Sequence, residues 1–155
     1  MLQTKKMKTV FIALLLIVVG GLVAASLYVR TSKTDLAEFT TIPQVTEPTD
    51  SATMNSFLAA RDMRVPGPEA LDAVRKVALA TPRTTLVSGS VEAGKMTFQT
   101  RSRVMGFPDY STVAVEGDLL AIYARSRFGK GDMGVNKDRV QDWLGQLGEV
   151  LRPLP

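Results

Sequence analysis

The chain has 155 residues, of which 45% are apolar and 22% charged, a balance that allows one modest globular unit with an appendage and excludes a disordered chain or a multidomain enzyme. It contains neither Cys nor His, which removes thiolate and imidazole metal centres, disulfides, and Ser-His-Asp or Cys-His nucleophiles; no metal and no cofactor is expected. The formal charge is +4, but Lys5, Lys6, Lys8, Arg30 and Lys33 lie in a stretch without acids and leave 14 basic against 15 acidic side chains in residues 34–155, so no nucleic-acid partner is expected.

Residues 1–8 form a short basic tail. Thr9 to Val29 follow as 21 uncharged residues, which as a helix extend about 31 Å, the thickness of a bilayer's hydrocarbon. The run has no polar face, unlike the helix of a soluble core. Two readings of it remain, an uncleaved anchor and a signal peptide with its cleavage site after Val23-Ala24-Ala25. The run exceeds an ordinary signal h-region and continues through Leu27, Tyr28 and Val29, which favours the anchor over 9–29. Lysines precede the span more densely than basic residues follow it. That bias predicts a single-pass protein of the bacterial inner membrane, with the amino terminus cytoplasmic and the rest periplasmic or otherwise extracytoplasmic. Without Cys there is no lipoprotein acylation site, so the helix itself is the attachment to the bilayer.

Residues 30–65 read as a Thr- and Pro-rich linker, with Met54–Val65 as a possible short helix before the Pro66-Gly67-Pro68 break. Docking of Phe39, Ile42 and Val45 on the domain is the alternative to a free tether.

The folded domain is expected over 66–155. Leu71, Val74, Val77 and Ala78 recur at helical spacing after Pro68, and Thr81-Pro82 ends that helix. Four strands are predicted over 84–92, 95–105, 109–116 and 119–128, with Ala93-Gly94 and Gly117-Asp118 as two-residue hairpin loops. The first loop pairs Glu92 with Lys95 and Gly89 with Phe98; the second pairs Val113 with Ile122 and Tyr110 with Arg125. Val140, Trp143, Leu144, Leu147, Val150 and Leu151 form the stripe of a last helix, with Asn136 capping its start. The expected fold is α+β: a four-stranded antiparallel meander packed on one face by two helices, preceded by the single amino-terminal transmembrane helix.

The segment joining the last strand to the last helix, SRFGKGDMGVNKDRV, carries Ser126, Arg127, Gly129, Asp132, Gly134, Val135, Asn136, Arg139 and Val140. It resembles the carboxy-terminal signature SRxGxxDxGVNxxRV of the bacterial and plastid family called domain of unknown function 1499. Pro82-Arg83 and Gly106-Phe107-Pro108-Asp109 fit its weaker upstream features, and the similarity spans about 66–151. The resemblance implies a small α+β domain, often exported or membrane-attached, with no established activity. Tyr110 stands where the family has the second acid of a pair, and the family's upstream Cys segment is missing; a cation shared by such a pair is therefore not expected here.

Two groups of residues are candidates for function. Around the motif, Gly129, Gly131 and Gly134 suit a tight connection. Asp132, Asn136 and Arg139 suit either internal capping or, with Ser126, Arg127 and Lys130, an anion site at a helix amino terminus. On the sheet, strand parity puts Phe98 and Val104 on the core side with Ile122, leaving Arg101, Arg103, Tyr110, Tyr123, Arg125 and Arg127 on the other face. That face is either solvated or a docking surface for an acidic protein, a lipid headgroup or an anionic small molecule. The leading reading is a non-enzymatic binding or accessory domain of the cell envelope. The alternative is a hydrolase or other envelope enzyme acting on an anionic substrate through Asp132 and Asp109.

Overall fold

The computed structural model describes residues 2–154; the Lys5 side chain that enters the charge reading lies outside the described atoms. A single long helix, α1 (Leu2–Thr31), opens the chain, and within it Lys6–Thr31 is long and apolar enough to cross a membrane; its most apolar 18 residues have a mean hydropathy of 2.9 and none of them is buried, while Val29 near the end is buried. A one-turn helix, α2 (Leu36–Phe39), follows, capped by the Asp35 carboxylate accepting from the Ala37 amide at 3.0 Å.

The sheet has six antiparallel strands rather than four. They are β1 (Thr49–Ala52), β2 (Ser56–Asp62), β3 (Thr84–Ser90), β4 (Lys95–Arg101), β5 (Pro108–Glu116) and β6 (Leu119–Ser126), in the order β1-β2-β6-β5-β4-β3. The two additional strands come from the stretch read as linker and short helix. In β2 nearly every residue is buried, because it lies between β1 and β6 with both faces covered. Such a strand loses the alternation that marks a half-exposed one, and Phe57-Leu58-Ala59-Ala60 is then indistinguishable by period from a helical turn. Polar, exposed β1 closes the sheet edge beside it.

The β5–β6 hairpin has the expected register, with Val113 opposite Ile122 and Tyr110 opposite Arg125. The β3–β4 hairpin is corrected: Ser90, not Glu92, pairs with Lys95, Leu86, not Gly89, lies opposite Phe98, and a bulge between Leu86 and Ser88 shifts the register by one residue, so that Thr84 lies opposite Thr100. The connecting turn is therefore longer than Ala93-Gly94. Gly89 lies opposite Met96 with φ +80°, where a Cβ would lie 2.1 Å from the Lys95 carbonyl oxygen, so only glycine fits this close approach of the two strands. Strand β4 also ends at Arg101, so Val104, expected in the core, is 79% exposed in the loop beyond it.

Two helices cover one face, α3 (Gly67–Ala80) and α4 (Val135–Gln146). Ala70, Leu71, Val74 and Ala78 of α3, with Val140, Trp143 and Leu147 from α4 and its end, pack on Phe57, Met96, Phe98, Val113 and Ile122. Phe98 and Trp143 meet edge to face with ring centroids 6.1 Å apart, and the Trp143 indole N–H donates to Thr81 Oγ1 at 2.8 Å. The apolar stripe extends past the helix: Leu151 is buried and bridges to Met63, just beyond the end of β2.

Candidate functional site

The opposite face of the sheet carries the arginines, and the chain's own residues 32–41 lie on it. Phe39 is buried there with its ring centroid 4.4 Å from that of Tyr110, and the Tyr110 hydroxyl donates to Thr34 Oγ1 at 2.8 Å. Thr112 Oγ1 donates to the Phe39 carbonyl at 2.5 Å. The Arg125 guanidinium sits over the Phe39 ring at 4.8 Å and the Tyr123 ring at 5.2 Å, and donates to the Glu38 carbonyl. Arg127 uses its fork fully: Nη1 donates to the Ser32 carbonyl at 3.1 Å and to Ser32 Oγ at 2.9 Å, and Nη2 to the Lys33 carbonyl at 2.6 Å.

Four of the six predicted face residues, Tyr110, Tyr123, Arg125 and Arg127, are thus brought together around an internal segment. Arg101 instead donates to the Gly106 carbonyl at 2.9 Å, and Arg103 is exposed in the loop after β4. Of the alternatives for the segment after α1, docking on the domain is the one observed for Phe39, which is buried. A signal was present in the sequence, because Asp35 followed three residues later by Glu38 has the spacing of a helix-capping box.

The second candidate lies at the junction between β6 and α4. Gly134, with φ +83°, is the residue before the helix; Asn136 is its second residue, not its cap. The capping carboxylate is Asp132, whose Oδ1 accepts from the Gly134 amide at 3.0 Å and whose Oδ2 accepts from the Asn136 amide at 3.0 Å and side-chain Nδ2 at 2.6 Å. The helix amino terminus therefore already holds an anion, supplied by the chain itself.

From Asn136, which is wholly buried, the bonding continues. Its Nδ2 also donates to Ser126 Oγ at 3.1 Å, and its Oδ1 accepts from Arg139 Nη1 at 2.7 Å. Arg139 Nη2 donates to Asp109 Oδ2 at 2.9 Å, and Ser126 Oγ donates to Asp109 Oδ1 at 2.7 Å. The two acids considered for catalysis are thus joined through Ser126, Asn136 and Arg139 into one network that ties β5, β6 and α4 together. Gly129 also has positive φ, Gly131 does not, and Lys130 is exposed outside the network.

Away from this network, two carboxyls are held below their ordinary range. Asp72 is lowered by hydrogen bonds from Lys76 and Arg75, and Glu92 by its own backbone amide and then Ser90. No group of three or more acidic residues suited to a metal ion occurs among the described residues. Beside the network, an open pocket of about 240 Å³ is lined by Thr81, Pro82, Arg139, Asp142, Trp143 and Gln146, among others.

No curated protein matches the chain. A family model does match, over residues 33–147, and so takes in both the segment lying on the arginine face and the two strands upstream of α3. With that match covering most of its length, the chain belongs to the family described as Protein of unknown function (DUF1499).

Proposed function

We propose that the protein is a single-pass, membrane-anchored component of the bacterial cell envelope whose α+β head is a non-enzymatic binding or accessory domain. The observation that carries this reading is the attachment of the head to the segment immediately after the apolar helix. Arg125, Arg127 and Tyr110 all bond to residues 32–41, which leaves no long free tether between the two. Such a head stands at the membrane surface in a fixed orientation instead of sampling a volume around its anchor. Engagement of both Asp109 and Asp132 in the junction network supports a structural role for the motif.

In this reading residues 1–8 are cytoplasmic and the head is extracytoplasmic, following the lysine bias before the span. A partner of acidic character, whether a protein, a lipid headgroup or an anionic small molecule, meets the arginines left outside the clasp, Arg103 above all. The test has two parts. Carbonate extraction of native membranes should leave the full chain in the pellet, and protease added to spheroplasts should cut the head; release by carbonate would refute the anchor. Crosslinking in membranes, with Arg101 and Arg103 reversed to Glu, should then alter the set of captured partners. An unchanged set from a folded variant would refute the basic docking surface.

A further inference from the structure

The loop between β4 and β5, Ser102–Phe107, is bound to the side of α1 near its carboxy-terminal end. Ser26 Oγ donates to the Met105 carbonyl at 3.1 Å, and Arg30 Nη2 donates to the Val104 carbonyl at 3.3 Å. Gly106 is the point of closest approach. It has φ +76°, and a Cβ there would lie 2.9 Å from the Arg30 guanidinium carbon.

The loop is closed on itself as well. The Ser102 amide donates to the Phe107 carbonyl at 2.9 Å, the Phe107 amide to Ser102 Oγ at 2.9 Å, and Arg101 to the Gly106 carbonyl. Four carbonyls and amides that a free loop would leave to water are thus satisfied within the protein. That is the condition for placing irregular backbone close to hydrocarbon.

Its side chains fit the same location. Val104 is 79% exposed and Phe107 is 38% exposed, with the basic Arg103 beside them. The helix supplies a depth scale. Ser26 lies three residues before Val29, the end of the uncharged run, so the Met105 carbonyl is held about 4–5 Å inside that end. Tyr28, 66% exposed, lies at the same level, where an aromatic residue marks a membrane interface.

We propose that the Ser102–Phe107 loop is a second membrane contact, with Val104 and Phe107 in the boundary between headgroups and acyl chains and Arg103 on lipid phosphates. This rests on the reading of α1 as a membrane anchor. The occupant is lipid because the loop is continuous with the apolar surface of the span and is fixed at its level by hydrogen bonds to the span itself. Together the anchor and the loop hold the head at two points, which sets its tilt as well as its distance from the bilayer.

The absence of Cys makes the test direct. Single variants Val104→Cys, Tyr28→Cys, Met133→Cys and Leu15→Cys are labelled with an environment-sensitive fluorophore in the full chain and reconstituted into vesicles of phosphatidylcholine and phosphatidylglycerol. Quenching is read with lipids bearing a nitroxide either near the headgroup or deep in the chain. A label at 104 should be quenched by the shallow nitroxide to the extent seen at 28, and several-fold more than at the fully exposed Met133 position. A label at 15 should respond to the deep nitroxide. Quenching at 15 with a label at 104 behaving like that at 133 overturns the loop contact and leaves the anchor standing. No quenching at 15 overturns the anchor reading, and the loop contact with it.

Discussion

Arg139 of α4 and Asp109 of β5 form an ion pair at 2.9 Å with their side chains only 9% and 13% exposed. A pair this deep is costly to break on one side, because the remaining charge has no water to return to. Asp109→Ala should destabilise the full chain in detergent by about 3 kcal/mol, well beyond the effect of breaking a solvent-screened pair such as Lys76 with Asp72. Urea unfolding followed by Trp143 fluorescence checks this. An unchanged midpoint for Asp109→Ala would mean that the network does not hold the junction.

The junction also ranks its own residues. Asp132→Ala removes the acceptor for two amides and should cost about 1–2 kcal/mol. Asn136→Ala leaves Asp132, Ser126 and Arg139 each short of a partner and should cost more, about 2–3 kcal/mol. Lys130→Ala, at an exposed turn position, should change stability by less than about 0.5 kcal/mol. The same unfolding measurement decides the order, and equal melting of all three with the parent would favour an external anion over internal capping.

Replacing Arg127 tests the clasp. Three bonds from one guanidinium converge on Ser32 and Lys33, and a lysine ammonium does not reproduce that planar fork. Both Arg127→Ala and Arg127→Lys should therefore raise amide exchange in residues 32–41 while β5 and β6 keep their protection. Exchange confined to its parental level would show that Phe39 packing and the bonds from Tyr110, Thr112 and Arg125 hold the segment without Arg127.

Ser111 offers the opposite case, a substitution that should not harm. Its hydroxyl faces the helix-covered side opposite Phe98, wholly buried and without a hydrogen-bond partner. Ser111→Ala should be neutral or stabilising by up to about 1 kcal/mol, read as a rise in melting temperature. A marked loss would reveal a partner for that oxygen.

What was legible in the sequence follows from how each element meets its surroundings. The β5–β6 pairing was readable down to the register because Gly117-Asp118 fixes the turn and one face is uniformly apolar. The β3–β4 register was not, since the bulge between Leu86 and Ser88 leaves Val87 as an extra residue that no hydrophobic pattern announces. Strand β2 was hidden by burial on both faces and β1 by having almost none. Arg103 lies in the loop after β4, whereas Tyr110, Tyr123, Arg125 and Arg127 share one face as strand parity had them. Their occupant went unseen because main-chain carbonyls of residues 32, 33 and 38 leave no trace in side-chain composition. At the motif, Asp132, Asn136 and Arg139 were identified, but the positive-φ Gly134 moved the cap upstream from Asn136 to Asp132.

The sheet order has a consequence for how the chain reaches this state. Strand β2 pairs with β6, Ala59 opposite Ile122, so a strand apolar on both faces waits for a partner some 60 residues further on. During synthesis or export it emerges well before that partner, with only the polar β1 beside it. Closure of that loop is the long-range step of assembly, and it is expected to set the folding rate. Variants weakening the β2–β6 contact should slow refolding more than those weakening the local β5–β6 hairpin, and the unclosed intermediate is the species on which a holdase would act.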